Sequence, residues 1–336
     1  KDAQCNPVDE HIRQQILSDI QPPLHMYSGF HQDRHKKSNC SAEIRKFVKA
    51  VSKMSKNVAE KTSTNLSMPP VLELPGAEKT YTVKRELGKG AFAPVYLVET
   101  SDCESADAEN DENAVAQMGK GDFAVVKRDQ LEAVKMEDPP STWEFYILRQ
   151  TKRRLGISRP SESIVHAHEC HVFADECFLV EQYHDQGTLL NLVNVAKADP
   201  NLGASGTMDE QLVMFFTIEI FRTVEALHSK GIIHGDLKAD NVLLRLEDVA
   251  ATCWSSLYSR DGRQGWSSKG VALIDFGRGI DMKAFRPDVQ FIADWKTSEA
   301  DCAEMRELRP WTYQVDYHGM ASIVHTLLFG KYIETV

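Results

Sequence analysis

The spacing of apolar residues changes from strand-like to helix-like along the chain. Between residue 81 and about residue 183, short runs of β-branched and aromatic residues predict strands. After Gly187 the apolar residues recur at helical spacing. A β-rich part followed by a helical part predicts an α+β fold. Strands are predicted at 81–83, 94–98, 122–128, 131–137, 163–173 and 177–183, and helices from Ser141, near 208–229 and over 314–329.

The first 80 residues have the character of an extension before the main domain. A helix through Ile12, Ile16 and Ile20 is predicted to end at the proline pair 22–23. A second, short helix is predicted over 42–54 within a polar and basic stretch. We therefore predict that residues 1–80 pack on the core that follows and are partly disordered.

Two polar segments interrupt the main domain. Residues 101–121 are acidic and small, which predicts a solvated, disordered insertion. A second polar insertion covers about 246–270. Neither segment carries an apolar pattern that would place it in a core.

Composition excludes several classes of protein. The net charge of −10 disfavours direct binding to nucleic acid, which needs a basic face, but it suits a basic protein substrate. Seven cysteines without a C-x-x-C pair indicate a reducing compartment and no disulfide framework. No apolar run approaches the roughly 18–20 residues of a membrane span, so no membrane partner is expected.

A glycine loop follows the first predicted strand. It runs from Gly88 through Gly90 to Val95, with Ala93 where the kinase pattern has its third glycine. Glycines let backbone N–H groups approach phosphates closely and cover them. Taken alone, the loop fits a plain hairpin turn equally well. A dinucleotide-binding loop is disfavoured because a strand follows it, where that motif requires a helix.

The strongest chemical signal is a pair of motifs in kinase order. Asp236, Lys238 and Asn241 lie in the run I-I-H-G-D-L-K-A-D-N, and Asp275 ends the later strand L-I-D-F-G. Phosphoryl transfer needs cations that neutralise charge and an acceptor that orients the hydroxyl. We predict that Asp236 accepts the hydroxyl proton and that Lys238 steadies the γ-phosphate. Asn241 and Asp275 are hard oxygen ligands suited to Mg²⁺. Two surface loops with ordinary aspartates are the alternative.

The lysine that anchors the ATP phosphates is ambiguous by spacing. Lys127 and Lys135 both end an Ala-Val run on a predicted strand. Its partner is expected to be a glutamate on the next helix, and Glu144 is the candidate. Glu144 also completes a capping box with Ser141, so a purely local role stays open.

Further residues make the sequence resemble the Bub family of spindle-checkpoint serine/threonine kinases. The run A-V-K-M-E-D-P-P-S-T-W-E-F-Y-I at 133–147 is similar to the lysine strand and following helix of that family. Gly235 in the H-G-D motif, G-I-D-M-K at 279–283, C-A-E-M at 302–305 and P-W-T-Y-Q-V-D-Y at 310–317 agree with it. The likeness covers about 1–30 and 71–336.

The resemblance implies a bilobal protein-kinase-like fold and completes the expected site. It implies an N-lobe of about 81–184, a partial C-lobe of about 185–336, and further C-lobe helices outside the chain. By the same likeness Lys135 anchors the ATP phosphates, Glu144 is its partner, and Lys127 ends a solvated strand. The hinge is expected around Gln182 and His184, with Ala133, Val95 and Leu243 around the adenine.

The resemblance also implies a cellular role. ATP and Mg²⁺ are the expected cofactors, and a protein, plausibly a histone tail, is the expected substrate. Checkpoint and kinetochore proteins are expected to bind through regions outside this chain, in the nucleus and at kinetochores. A pseudokinase that binds nucleotide or partners without transfer is the main alternative. A small-molecule kinase is disfavoured because the segment 297–311 suits peptide positioning.

Three details remain predictions about mechanism. Gly235 stands where most kinases have the arginine that grips a phosphorylated activation loop, so activity is expected not to depend on that grip. Thr297 and Ser298 are candidate phosphorylation sites, with exposed loop hydroxyls as the alternative. A zinc site built from His166, His168 and Cys170 on one strand face is disfavoured, because this stretch fits a kinase hairpin.

Overall fold

The computed structural model describes residues 4–56, 68–89, 93–102, 128–199, 207–292 and 297–334. These residues form two compact units, each built from separate stretches of the chain. The helical unit comprises 1–24, 143–166 and 184–336, and the sheet unit comprises 25–142 and 167–183. The helix predicted from Ser141 lies mainly in the helical unit, whereas the sequence-based boundaries place it in the N-lobe.

A mixed sheet forms the centre of the sheet unit. Its described strands follow the order β2-β7-β8-β6-β5-β4-β3, and neighbours are antiparallel except for the parallel pair β2–β7. The strands are β2 (Phe30–Asp33), β3 (Val71–Leu72), β4 (Lys79–Lys89), β5 (Pro94–Asp102), β6 (Leu131–Glu137), β7 (Ala167–Phe173) and β8 (Cys177–Gln182).

One face of this sheet is covered by helix α2 (Cys40–Lys56), which belongs to the predicted extension. The helix buries Ile44 and Phe47 in a cluster with Tyr81, Val83 and Phe178 of the sheet. Burying such apolar side chains contributes about 2 kcal/mol each. Together with β2, this helix makes residues 30–56 an integral layer of the unit.

The helical unit contains the remaining described elements. Its helices are α1 (Glu10–Asp19), α3 (Trp143–Leu155), α4 (Arg159–Glu162), α5 (Leu189–Ala198), α6 (Glu210–Ser229), α7 (Ala303–Arg306) and α8 (Gln314–Phe329). Its strands pair two by two: β1 (Gln4–Cys5) with β13 (Gln290–Phe291), β9 (Ile232–Ile233) with β12 (Ile280–Asp281), and β10 (Val242–Leu246) with β11 (Lys269–Leu273).

The start of the extension joins the core of the helical unit. Strand β1 runs parallel to β13, with Cys5 opposite Phe291. Phe291 and Trp311 are buried in a cluster with Ile233 and Ile280. Residues 4–5 therefore pack beside β9, which precedes the predicted catalytic loop at 234–241, and β12, which follows the D-F-G motif.

The predicted strand at 163–173 is wrong in its first residues. Ile164 forms a bridge with Leu273 of β11, and the N–H of Val165 donates to the Leu273 carbonyl at 3.0 Å. These long-range bonds hold residues 163–165 beside β11, and β7 begins at Ala167. Residues 122–127 of the strand predicted at 122–128, and most of the insertion at 101–121, lie outside the described residues.

The second insertion is an ordered loop between β10 and β11. Trp266 lies at its centre, with ring centroids 4.7 Å from Trp254, 5.2 Å from Tyr258 and 5.5 Å from Phe215 of α6. The indole N–H of Trp266 donates to the Leu257 carbonyl at 2.9 Å. Aromatic packing offsets the entropic cost of ordering a loop whose sequence is mostly polar.

Among the described residues, no helix combines the length and apolar character that a bilayer crossing requires.

Candidate active site

A buried carboxylate on α8 holds the main chain of the catalytic loop. Asp316 has no exposed surface, and it accepts hydrogen bonds from the N–H groups of His234 and Gly235, each at 2.9 Å. His228 of α6 shares Oδ2 of the same carboxylate at 2.8 Å. A buried carboxylate with such partners is satisfied, so it fixes the loop that begins at β9.

The carboxylate of Asp236 is held through one of its two oxygens. Oδ2 accepts hydrogen bonds from Lys238 Nζ at 3.0 Å and from Asn241 Nδ2 at 3.1 Å. Oδ1 makes no hydrogen bond to the described residues, and Arg278 Nη1 lies 3.7 Å from it. The arrangement leaves Oδ1 as an oriented acceptor for a hydroxyl proton.

The two candidate metal ligands, Asn241 and Asp275, lie on two chain segments that are joined by a main-chain hydrogen bond. The N–H of Ile274 donates to the carbonyl of Asn241 at 3.0 Å, and Asp275 is the next residue. Asn241 also donates Nδ2 to the main-chain oxygen of Asp236 at 2.9 Å. Because both side-chain bonds of Asn241 use the nitrogen, its amide oxygen remains available. An amide oxygen and a carboxylate are the donors that Mg²⁺ prefers, so this pair fits the ion.

Glu144 reaches the D-F-G segment from helix α3. Its Oε1 accepts a hydrogen bond from the N–H of Phe276 at 2.8 Å, and the side chain is buried. Phe276 is itself fully buried, with its ring centroid 4.5 Å from that of His234. Glu144 therefore ties α3 to the residue after Asp275.

The strand register of the sheet unit aligns several predicted ATP-binding residues. Val95 of β5 lies opposite both Gly88 of β4 and Lys135 of β6. Ala133 lies two residues before Lys135 and therefore on the same face of the sheet. Lys135 is 5% exposed. Gly90 lies outside the described residues.

The choice between the two candidate lysines for the ATP phosphates rests on the resemblance to the Bub family. Lys127 lies outside the described residues, and the pairing of Lys135 with Glu144 stays a prediction. Gln182 ends β8, opposite Glu132 of β6.

Two further predicted ATP contacts belong to the helical unit. Leu243 pairs with Ala272 in the strands β10 and β11. Burial lowers the pKa of His184, and the positive charge of Arg245 lowers it further. A neutral imidazole at this position suits a place beside an uncharged base.

The histidine-rich stretch at 166–171 is part of a different network. A register shift between Ala167 and Glu169 breaks the predicted alternation, so His168 and Cys170 do not follow simple strand facing. His171 Nε2 is hydrogen-bonded to Glu169 Oε2 at 2.8 Å. The described residues contain no group of three or more His, Cys, Asp or Glu side chains arranged to hold a metal ion.

Sequence reasoning missed three residues that shape the site. Asp316 holds the catalytic loop, Arg278 lies beside Asp236, and Arg13 of α1 donates Nη2 to the carbonyl of Gly277 at 2.9 Å. A carboxylate in the apolar pattern of α8 was a signal for Asp316. Arg13 and Arg278 act through contacts distant in sequence, and no local pattern marks them.

Comparison with protein families matches residues 113–334 to the protein kinase domain. The spindle assembly checkpoint serine/threonine-protein kinase bub1 of Schizosaccharomyces pombe is 45% identical over 98% of this chain. Its namesake BUB1 of Saccharomyces cerevisiae is 37% identical over 98% of the chain. The chain spans 31% and 28% of these two relatives.

Among solved structures, the crystal structure of the BubR1 kinase domain is similar to this chain with a TM-score of 0.60 and 28% identity. The match covers 88% of this chain and 77% of the other. The comparisons confirm the predicted protein-kinase-like fold and the resemblance to Bub kinases.

Proposed function

The chain belongs to the protein kinase domain family, and from this premise we propose that it transfers the γ-phosphate of Mg·ATP to serine or threonine hydroxyls of proteins. One observation carries the proposal. Lys238 and Asn241 hold one oxygen of the Asp236 carboxylate, and its other oxygen makes no hydrogen bond to the described residues. A carboxylate oriented in this way suits the acceptance of a proton from an incoming hydroxyl.

The residues around Asp236 supply the charge that transfer requires. Asp236 Oδ1 accepts the proton as the hydroxyl oxygen bonds to phosphorus and the bond from phosphorus to the leaving oxygen of ADP breaks. Lys238, 35% exposed at its side chain, can turn its ammonium toward the transferred phosphoryl group. A fixed cation at that point stabilises negative charge without reorganising water.

The residues that the resemblance assigns would bind the nucleotide and its metal ion. Asn241 and Asp275 would hold Mg²⁺, which when bound neutralises charge on the phosphates. Lys135 would bind the phosphates, and Gly88 and Gly90 would cover them with main-chain N–H groups. Glu144 would be the partner of Lys135 as well as the acceptor for Phe276.

The test is Mg²⁺-dependent transfer from labelled ATP to core histones by the full-length protein and by its Asp236→Asn variant. We expect the variant to bind Mg·ATP normally and to transfer about 10²–10⁴-fold more slowly, the range for loss of a general base. An Asp288→Asn variant, which changes an exposed aspartate, serves as the control.

Two outcomes would contradict the proposal. Equal rates for the wild-type protein and Asp236→Asn would exclude the assigned base. Tight binding of Mg·ATP without transfer to any protein would favour a nucleotide-binding scaffold instead.

We further infer a role in mitosis from the relatives, whose names place them in the spindle checkpoint. The proposed location is the nucleus and the kinetochore, and checkpoint proteins are the proposed partners. A histone tail is the proposed substrate, since a basic tail suits a chain with net charge −10. Transfer to an acidic protein in preference to histones would contradict the substrate class alone.

A further inference from the structure

Gly235 leaves room for another main-chain segment to approach the catalytic loop. Its φ is +81°, and a Cβ built on it would lie 2.5 Å from the carbonyl oxygen of Arg278. Strands β9 and β12 pair Ile233 with Ile280, and the turn that ends at Arg278, just before β12, lies against Gly235. A residue with a side chain would force the two segments apart.

This close approach places a cation beside the catalytic aspartate. Arg278 Nη1 lies 3.7 Å from Asp236 Oδ1, the oxygen that makes no hydrogen bond to the described residues. The two side chains are 26% and 17% exposed, so water screens the pair only in part. The other oxygen of the carboxylate already has Lys238 and Asn241 as donors.

We propose that Arg278 is a positioning residue that acts through Asp236, and that Gly235 is present because it allows this placement. The inference rests on the proposed kinase function. Most kinases have an arginine at the position of Gly235, whereas in this chain the arginine beside Asp236 comes from the segment after Asp275.

The guanidinium has two effects on the reacting groups. It favours the rotamer of Asp236 in which Oδ1 faces the incoming hydroxyl. It also offsets the repulsion between the carboxylate and the negative phosphate that the hydroxyl attacks. Both effects arise when the hydroxyl and phosphate are brought together, so they change the rate of transfer more than nucleotide binding.

The test compares steady-state kinetics of the wild-type protein, Arg278→Met and Arg278→Lys. Methionine keeps much of the apolar stem and removes the charge, whereas lysine keeps a charge. We expect Arg278→Met to lower kcat at least tenfold with the KM for ATP within twofold of wild type. We expect Arg278→Lys to recover at least a third of the wild-type kcat.

A surface arginine provides the matched control. Arg263 forms an exposed ion pair with Asp261, and Arg263→Met should leave kcat unchanged. Thermal unfolding of each variant checks that the fold is intact. If Arg278→Met does not fold, Arg278→Gln takes its place as the uncharged variant.

Several results would overturn the inference. An uncharged variant with wild-type kcat, or a fall in kcat that lysine does not restore, excludes a role for the charge. If the wild-type protein binds Mg·ATP but transfers no phosphate, both the inference and the proposed function fail, whereas failure of the inference alone leaves wild-type transfer intact.

Discussion

At the scale of single residues, the catalytic loop depends on a carboxylate that binds its main chain and on a glycine whose missing side chain lets another segment approach. Asp316 binds two consecutive N–H groups of the loop, and Gly235 is one of them. The same glycine has a positive φ and faces the carbonyl oxygen of Arg278. Main-chain geometry therefore favours glycine at this position, in addition to the chemistry of the site.

Replacing Gly235 by alanine tests this view. Positive φ alone costs a non-glycine residue about 1–2 kcal/mol, and the 2.5 Å approach to Arg278 adds a steric clash. We expect Gly235→Ala to lower both the melting temperature and kcat, the latter more than tenfold. Activity assays and calorimetry on the purified protein provide the measurement.

Gly156 offers a matched control for that substitution. It has a φ of +59°, but a Cβ there meets no atom within 4 Å. Gly156→Ala should show the conformational cost without loss of kcat. Equal effects of the two substitutions on kcat would mean that the contact with Arg278 has no part in the result.

The candidate site residues proposed from the sequence all stand in local motifs, whereas the contacts made by distant residues were missed. Asp236, Lys238, Asn241 and Asp275 stand in short motifs whose spacing is fixed by one loop and one strand. The contacts from Asp316, Arg278 and Arg13 depend on how remote segments pack. Apart from the carboxylate in the apolar pattern of α8, the sequence carries no local signal for these contacts.

At the scale of elements, regular segments with strong periodicity were predicted closely. Strand β6 has the predicted bounds 131–137, and helix α8 has the predicted bounds 314–329. The parallel addition of β2 to the sheet was not predicted, because its partner β7 lies more than 130 residues away and only four residues pair. The ordered loop between β10 and β11 was missed because its stability comes from aromatic contacts within a polar sequence.

A charged network links strands β4, β6 and β7 of the sheet unit. Glu169 accepts a hydrogen bond from the Tyr81 hydroxyl at 2.6 Å and forms an ion pair with Arg128, which also binds Glu132 at 2.8 Å. Burial raises the pKa of Glu169, but the hydrogen bonds from His171, Tyr81 and Arg128 outweigh it and lower the pKa to about 2.

This lowered pKa predicts a specific loss of stability in acid. The folded protein holds Glu169 ionised down to about pH 2, whereas the unfolded chain protonates it near its ordinary value of 4.5. The stabilisation is therefore complete above pH 4.5 and disappears as the pH falls toward 2, with a magnitude of about 3 kcal/mol. Denaturant unfolding between pH 5 and pH 2 measures it.

The variant Glu169→Gln isolates this contribution. It should be less stable than wild type at pH 6, and its stability should fall less steeply between pH 5 and pH 2. Glu73→Gln, at an exposed position of the same unit, should keep the wild-type slope. Parallel curves for the wild-type protein and Glu169→Gln would contradict the assignment.

At the scale of the whole chain, the predicted extension contributes to both units. Residues 30–56 form a strand and a helix of the sheet unit, whereas residues 4–19 belong to the helical unit. Residues 4–19 also reach the candidate site, through Arg13. Arg13 stacks 4.9 Å above the Trp143 ring of α3 and bonds the carbonyl of Gly277, next to the D-F-G phenylalanine.

Glu144 links α3 to the D-F-G segment, and Arg13 links both of these to α1. Trp143 donates its indole N–H to the Gly279 carbonyl at 2.8 Å, and Glu144 accepts from Phe276, so α3 and the segment 276–279 are bonded at two points besides Arg13. Removing the arginine leaves those bonds in place and removes the one that comes from the extension. The segment that carries Asp275 should then be held less firmly and spend less time in the geometry for transfer.

We expect Arg13→Ala to lower kcat about fivefold, the effect of losing one hydrogen bond worth about 1 kcal/mol. Kinase assays with Arg13→Ala, and with Gln14→Ala on the exposed side of the same helix, make the comparison. Unchanged kcat in Arg13→Ala would mean that the extension contributes stability but not geometry. A fall in kcat for Arg13→Ala alone would mean that residues far from the motifs in sequence help to set the position of Asp275, the proposed metal ligand.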